Sequence, residues 1–190
     1  MRAEVLSAAW PASVDTPEFR AWFGRSAVVD VDGRPLPVYH GTAIEKARFR
    51  REGGAAGMGA YFTADRKAAQ AYAENDAEVD GEDPIVMEVY LSIKNPYVTV
   101  FEFDPENYDP DVDPQAISAT FLDRLEALGH DGVHVTNTGE WVAFRPEQIK
   151  LANGNIGRFD PQDPRIAFER VVEQSERDKD DEDRACAPRF

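Results

Sequence analysis

The chain has 190 residues, of which 42% are hydrophobic and 11% aromatic, so it is long enough to form one domain with a buried core. Its formal net charge of −15 disfavours broad, non-specific binding to nucleic acid. The single cysteine, Cys186, excludes an intrachain disulfide framework, and no Cys/His pattern typical of a metal site is present.

The N-terminal part predicts one helix and one hairpin. Residues 1–15 are weakly patterned and are expected to form a weakly ordered segment. Thr16-Pro17-Glu18 is typical of a helix start, and the apolar residues that follow at helical spacing end at Gly24. The turn pair Asp32-Gly33 then predicts a β-hairpin over residues 28–40.

Residues 43–58 predict a loop that contains the one basic cluster of an acidic chain. Four bases, Lys46, Arg48, Arg50 and Arg51, are followed by closely spaced glycines. Two interpretations stay open for this loop. It is either a solvated, flexible surface segment or a mobile lid that contacts phosphate groups.

The middle of the chain predicts a helix and two strands. Asp65 is expected to cap a helix that runs to about Asn75, with an inward face formed by Ala68, Ala69, Tyr72 and Ala73. Residues 74–83 carry six acids and no base, so we expect an exposed loop there. Apolar residues alternate strictly over residues 84–94, which predicts a strand, and a second strand is expected over residues 97–101.

The C-terminal third predicts one helix, two strands and an acidic tail. The helix before Gly129 is indicated by an apolar stripe of Ile117, Phe121, Leu125 and Leu128. Residues 133–135 and 140–144 predict two strands, and residues 146–151 predict a helical turn. We therefore expect a domain over residues 16–166, followed over residues 167–190 by a helical and then acidic, disordered tail.

The order of these elements predicts an α+β protein in which most strands are antiparallel. A Rossmann fold is disfavoured because no G-x-G-x-x-G follows a predicted strand. A phosphate-binding loop of the G-x-x-x-x-G-K-[ST] type is not found in the sequence either.

Three residues at predicted strand ends are candidates for a site. His40 lies in the string VYHGT, Tyr61 in GAYFT and Glu140 in GEWVAF. Alternation puts Glu140 on the same strand face as Val142 and Phe144. Burying an unpaired carboxylate is costly, so we expect Glu140 at the mouth of a cleft that the other two strings line. Each residue alone would be read as structural, and their combination indicates function.

These strings resemble the His-Tyr-Glu class of ADP-ribosyltransferases, which includes diphtheria toxin and the poly(ADP-ribose) polymerases. The chain is more closely similar to the small ADP-ribosyltransferase domains of phage polyvalent and MuF-type polypeptides. Residues 16–42 look like the usual opening of those domains, and residues 140–166 look like their usual close. The resemblance implies split antiparallel β-sheets with flanking helices around an NAD cleft.

The resemblance also implies a role for each of the site residues. It places the nicotinamide of NAD+ against His40 and Gly41, stacked on Tyr61, with Tyr72 as a second stacking aromatic. Glu140 would accept a hydrogen bond from the 2′-hydroxyl of the nicotinamide ribose. That contact would stabilise the positive charge that develops as nicotinamide leaves.

Further NAD+ contacts are assigned to Thr42 and, in the basic loop, to Arg48 and Arg50. One position departs from the polymerase relatives, many of which have a serine three residues before the second aromatic. Ala69 stands there in this chain. Thr42 or Thr63 is a candidate replacement, although helix capping or packing would explain both threonines as well.

The implied function is mono-ADP-ribosyl transfer from NAD+ to a macromolecular acceptor, with NAD+ hydrolysis as the limiting case and no metal. The alternative is a catalytically inactive module of the same fold, for example a virion-associated or partner-binding domain. The acidic charge favours a host protein as acceptor over nucleic acid, which stays open. We expect no Sec signal and no membrane span, and hence a toxin-like protein that acts in the cytoplasm or is delivered there by a phage.

Overall fold

The computed structural model describes residues 10–11, 14–43, 49, 59–81, 83–100, 114–153 and 159–166, with the backbone alone at 80 and 114–119. The elements within these ranges are α1 (Pro17–Phe23), β1 (Val38–Thr42), β2 (Ala60–Thr63), α2 (Arg66–Asp80), β3 (Ile85–Leu91), β4 (Pro96–Thr99), α3 (Pro114–Ala127), β5 (Gly132–Val135), β6 (Glu140–Ala143), a 3-10 turn (Pro146–Gln148) and β7 (Ile149–Leu151).

The seven strands form one mixed sheet in the order β4-β5-β6-β2-β1-β3-β7. Neighbouring strands are antiparallel except β4 and β5, which are parallel. The centre of the sheet is narrow, because β1 and β2 pair at Tyr39 and Thr63, whereas β1 and β3 pair along all of β1. The predicted α+β class with mostly antiparallel strands is confirmed, and the strands form one mixed sheet.

Both faces of the sheet are packed. One face buries Phe62 and Trp141 in a cluster with residues of β1, β3 and β7. On the other face, Leu122 and Leu125 of α3 pack against residues of β5 and β6, among them Val142. The strand predicted over residues 84–94 is confirmed as β3, and Met87, Val89, Leu91 and Ile93 are buried as expected, but burial does not alternate strictly, because Tyr90 and Ser92 are buried as well.

Helix α1 has the predicted ends. The Thr16 side chain accepts a hydrogen bond from the Phe19 amide over 3.1 Å, and Gly24 follows the helix with a φ of 55°. The helix buries Phe19, Trp22 and Phe23. Trp10 packs edge-on against Phe19 at 5.7 Å, so a described part of the N-terminal segment contributes to this cluster. The domain boundaries expected after residue 15 and after residue 166 stay a prediction.

The hairpin predicted over residues 28–40 is wrong in its extent. Val29 forms one bridge with Pro35, and β1 instead pairs with β2 and β3. Pro35 and Pro37 supply no amide hydrogen, so a ladder with residues 28–31 cannot continue toward β1.

Helix α2 is longer than predicted, and the loop expected over residues 74–83 is wrong. The helix begins after Asp65, whose carboxylate accepts from the Lys67 amide over 2.9 Å, and it ends at Gly81 with a φ of 73°. Its buried face repeats every four residues at Ala69, Ala73 and Ala77. The acids therefore lie on the exposed side of an amphipathic helix. Tyr72, expected on the inward face, is 59% exposed.

Two further predictions near the C-terminus need correction. The buried face of α3 carries Leu122 and Leu125, while Phe121 and Leu128 are exposed, because the face that meets β5 and β6 is rotated from the predicted stripe. The helical turn predicted over residues 146–151 stops at Gln148, and β7 follows and pairs with β3.

Several predictions fall on residues outside the described ranges. They include most of the basic loop over residues 43–58, the loop over residues 102–114 and the tail after residue 166. Among the described helices, none combines the length and apolar character needed to cross a membrane.

Candidate active site

His40 joins the two halves of the sheet. Its Nδ1 atom lies 2.8 Å from the main-chain oxygen of Tyr61 on β2. Because a carbonyl oxygen only accepts, Nδ1 must carry the proton of this hydrogen bond. The imidazole also packs against Phe62 at 5.5 Å and edge-on against Phe49 at 4.9 Å. One hydrogen bond and two ring contacts therefore hold the imidazole in place. The hydrogen bond at Nδ1 also sets the direction in which Nε2 points.

Glu140 and Tyr61 lie on neighbouring strands and share a face. In the β2–β6 pair, Thr63 is opposite Glu140 and Tyr61 is opposite Val142. Side chains of opposite and alternate positions point to the same side of a sheet, so the Glu140 carboxylate and the Tyr61 phenol lie one pleat apart. Glu140 is the first residue of β6, at the strand mouth where the sequence placed it.

The electrostatics of Tyr61 link it to two other predicted site residues. Burial, with smaller contributions from the Glu140 carboxylate and the Tyr72 phenol, raises the pKa of Tyr61 to about 12. The phenol therefore stays neutral at physiological pH and presents an uncharged aromatic face and an O–H donor. The same interactions place Glu140 and Tyr72 within electrostatic reach of Tyr61.

Tyr72 stands on α2 outside the apolar core. Its side chain is 59% exposed, whereas Ala69 and Ala73 on the same helix are buried. A large aromatic residue that is exposed within electrostatic reach of a half-buried tyrosine is available to a planar ligand. The exposure of Tyr72 thus argues against the inward, core position expected from the helix pattern.

Gly41 is required by the packing of α2 onto β1. A Cβ atom at this position would lie 1.9 Å from the main-chain oxygen of Ala69 and 2.7 Å from the amide nitrogen of Ala73. The helix backbone therefore occupies the space that a side chain would need. The sequence interpretation attributed this glycine to close approach of a ligand, and helix packing supplies a second, independent reason for it.

The remaining predicted contacts are placed as follows. Thr42 is the last residue of β1, where it is buried and pairs with Ile85 of β3. Thr63 is buried as well, and its hydroxyl accepts from the Asp65 amide over 3.1 Å, so it also shapes the start of α2. Arg48 and Arg50 lie outside the described residues.

Phe49 is a residue of the site that sequence reasoning missed. It lies in the basic loop, yet it is buried and packs against His40 and, at 5.3 Å, against Phe62. A single apolar residue between Arg48 and Arg50 was the signal that could have identified it. Phe49 thus packs against the imidazole and against one of its aromatic neighbours.

A cavity of about 440 Å³ lies at the other end of β6, beyond Ala143. Its lining includes Lys94, Asp131, Arg145 and Gln148 and does not include His40, Tyr61 or Glu140. Opposite charges are balanced in this lining, and the buried Gln148 amide donates to the main-chain oxygens of Ser92 and Asp131. The amide of Gln148 thus has structural partners within this lining.

One face of the sheet combines the Glu140 carboxylate with the half-exposed Tyr61 ring and, on α2, the exposed Tyr72 ring, while His40, of defined tautomer, lies on the opposite face of β1. Such a set can hold a flat heterocycle between rings and stabilise positive charge that develops beside it. Among the residues that the structure describes, no three His, Cys, Asp or Glu side chains come together as a metal site.

Comparison with known proteins gives one match. A family model described as ADP-ribosyltransferase in polyvalent proteins matches residues 30–159, which include His40, Tyr61, Tyr72 and Glu140. None of the curated proteins and none of the solved structures matches the chain significantly.

Proposed function

This chain belongs to the family of ADP-ribosyltransferases in polyvalent proteins, and we propose that it transfers ADP-ribose from NAD+ to a macromolecular acceptor and releases nicotinamide. The observation that carries this proposal is the pairing of β2 with β6, which puts the Tyr61 ring and the Glu140 carboxylate on one face of the sheet. Tyr72 is exposed on α2 within electrostatic reach of Tyr61. These observations support a site in which two aromatic rings and one carboxylate face the same bound group.

In this proposal the nicotinamide ring lies between Tyr61 and Tyr72. The face of a neutral aromatic ring carries partial negative charge through the ring quadrupole. It therefore attracts the positively charged pyridinium ring of NAD+. Tyr61 stays neutral because its pKa is about 12. Tyr72 is 59% exposed and lies outside the core, so its ring can approach the ligand without disturbing core packing.

Glu140 performs the electrostatic step. The bond that breaks joins the nicotinamide nitrogen to the anomeric carbon of the ribose, and its electron pair leaves with nicotinamide. Positive charge then develops on the ribose, and the Glu140 carboxylate, which accepts a hydrogen bond from the ribose 2′-hydroxyl, stabilises it. A nucleophile of the acceptor forms the new bond at the anomeric carbon and loses a proton to solvent. Water in the place of the acceptor gives NAD+ hydrolysis.

His40 contributes from the junction of the two sheet halves. Its Nδ1 proton is committed to the Tyr61 carbonyl, so in a neutral ring Nε2 is an acceptor for a ribose hydroxyl. Strand alternation puts His40 on the face opposite Tyr61, and β1 and β2 are paired at Tyr39 and Thr63. We place NAD+ across the end of this short pairing, where a ligand can reach both faces.

The test is incubation of the protein and a host lysate with NAD+ labelled in its adenylate part. We expect nicotinamide release, together with label on a macromolecule that survives nuclease and is lost on protease treatment. The Glu140→Gln variant serves as the control for background labelling. Nuclease-sensitive label would reassign the acceptor to nucleic acid. NAD+ binding without nicotinamide release would support the inactive binding module instead.

A further inference from the structure

Glu140 has a hydrogen-bond partner that the proposed mechanism does not use. The Thr138 hydroxyl donates to the Oε2 atom of Glu140 over 2.9 Å. A carboxylate oxygen accepts from an O–H donor at this distance with good geometry. The bond leaves the second oxygen, Oε1, to accept from another donor.

The turn that carries Thr138 is itself fixed at both ends. At its start, the Thr136 amide and hydroxyl both donate to the main-chain oxygen of Thr99 at the end of β4, over 2.9 and 3.2 Å. At its end, the Gly139 amide donates to the main-chain oxygen of Val135 over 2.8 Å. Gly139 has a φ of 71°, a conformation that costs other residues free energy. The Thr138 hydroxyl is therefore presented from a tethered four-residue turn.

Glu140 is also confined from the strand side. It pairs with Val135 on β5 and with Thr63 on β2, so its backbone lies between two neighbours of the sheet. With the backbone fixed, the side-chain rotamer decides where the carboxylate points. The structure shows a hydrogen bond to that carboxylate from the Thr138 hydroxyl.

We propose that Thr138 is a positioning residue that orients the Glu140 carboxylate for the ribose 2′-hydroxyl. The inference rests on the proposed function and adds a residue to it. Holding Oε2 fixes the plane of the carboxylate and turns Oε1 toward the ligand. Electrostatic stabilisation of a transition state depends on such orientation before the reaction begins, since reorganisation during the reaction raises the barrier.

A merely structural role for Thr138, as a local cap of its turn, makes a different prediction. Loss of a cap would lower stability and leave the rate per folded molecule unchanged. Loss of a positioning bond would lower the turnover number and leave NAD+ affinity and the melting temperature unchanged, because the ligand meets Glu140 fully only in the transition state.

The experiment compares Thr138→Val, which is isosteric but lacks the hydroxyl, with Thr138→Ser, which keeps it. Thr120→Val makes the same chemical change at an exposed position of α3. For each variant, kcat for nicotinamide release and Kd for NAD+ are measured with the full chain. We expect kcat of Thr138→Val to fall about tenfold with Kd within about twofold, the scale of one hydrogen bond to a charged group. Thr138→Ser and Thr120→Val should match the wild type.

The outcomes separate the two proposals. Wild-type protein that binds NAD+ but releases no nicotinamide would refute the proposed function. Active wild type together with an equally active Thr138→Val would refute the positioning role alone. A second measurement needs no activity: in protein labelled with ¹³C at the glutamate carboxyl, the Glu140 signal, assigned by its loss in Glu140→Gln, should move in Thr138→Val and stay in Thr120→Val. An unmoved signal in both variants would also overturn the inference.

Discussion

The imidazole of His40 donates from Nδ1 to the main-chain oxygen of Tyr61 over 2.8 Å and so connects β1 to β2 near their short pairing. This bond gives one side chain two separable tasks. The Nδ1 side holds the sheet together at its narrow centre, and the Nε2 side is the one assigned to the ligand.

Substitution of His40 should separate those tasks. An asparagine amide can donate to the Tyr61 carbonyl in place of Nδ1 but cannot supply Nε2. We therefore expect His40→Asn to melt close to the wild type and to lose NAD+ affinity. His40→Ala should lose affinity and also about 1–3 kcal/mol of stability, because it leaves the Tyr61 oxygen without its imidazole donor. Calorimetry with NAD+ and thermal denaturation measure the two effects. Full NAD+ affinity in His40→Asn would remove His40 from the ligand site.

Glu140→Gln should affect the rate and leave binding nearly unchanged. The amide keeps the shape of the side chain and removes the charge that stabilises the developing cation. Turnover of NAD+ should fall on the order of a hundredfold, the scale of one lost transition-state stabiliser, while Kd stays within a few-fold. Glu78→Gln, an exposed change on α2, is the matched control and should be silent. Wild-type turnover in Glu140→Gln would reduce Glu140 to an ordinary edge acid and favour a binding module.

The order of elements and the position of Glu140 could be predicted from sequence because they rest on local signals. His40 was expected at a strand end, yet it is the central residue of β1. Thr16 and Gly24 mark the ends of α1 through capping chemistry. The apolar residues at alternate positions of β3 correctly mark Met87, Val89 and Leu91 as buried, although Tyr90 between them is buried too. Glu140 was expected at the mouth of a strand, and it is the first residue of β6.

The features that sequence missed depend on contacts between distant parts of the chain. The continuation of α2 past Asn75 is stabilised by burial of Ala77, a tertiary effect that the run of acids conceals. The strand β7 has three residues, too few for a period to be read, and exists because β3 offers it an edge. Phe49 is buried against His40 although its neighbours in sequence are basic.

Gly41→Ala should destabilise the fold whether or not a ligand binds. The new methyl group would lie 1.9 Å from the main-chain oxygen of Ala69, so α2 must shift away from β1. Overpacking of this kind costs about 1–3 kcal/mol, and more where backbone must move. Gly33→Asn is the control, since its position is open within 4 Å and asparagine tolerates the φ of 78° there. Denaturant unfolding measures both. An unchanged stability of Gly41→Ala would show that α2 adjusts without cost.

Asp163 should make stability depend on pH in the acid range. Hydrogen bonds from the Arg165 side chain lower the pKa of Asp163 from 3.8 to about 2. The unfolded chain therefore binds this proton more readily than the folded protein does. The stabilisation is complete above pH 4 and is lost as the pH falls toward 2.

Asp163→Asn removes this contribution. The variant should melt below the wild type at pH 7 and at pH 5, and the difference should shrink between about pH 4 and pH 2. Asp76→Asn, which removes one exposed carboxylate on α2, is the control for the change in net charge. A difference that stays constant down to pH 2 would mean that the carboxylate charge does not matter to stability.

Tyr72→Ala should weaken NAD+ binding without harming the fold. The side chain is 59% exposed and α2 is held by its buried alanines, so its removal leaves the core intact. Stacking of an aromatic side chain on a heterocycle is worth about 1–3 kcal/mol, which predicts a loss of NAD+ affinity of about tenfold or more. Val79→Ala, another exposed position of the same helix, is the control and should change neither quantity.

Tyr61 allows the complementary test, because ring and hydroxyl can be removed separately. Tyr61→Phe keeps the stacking face and should bind NAD+ within a few-fold of wild type, whereas Tyr61→Ala should lose both affinity and stability, since the ring is half-buried. The pKa of about 12 keeps the wild-type phenol neutral, so ionisation of Tyr61 should not alter affinity between pH 7 and about pH 10. Calorimetric titration at both pH values measures this. Unchanged affinity in Tyr61→Ala and Tyr72→Ala together would move the nicotinamide away from both rings.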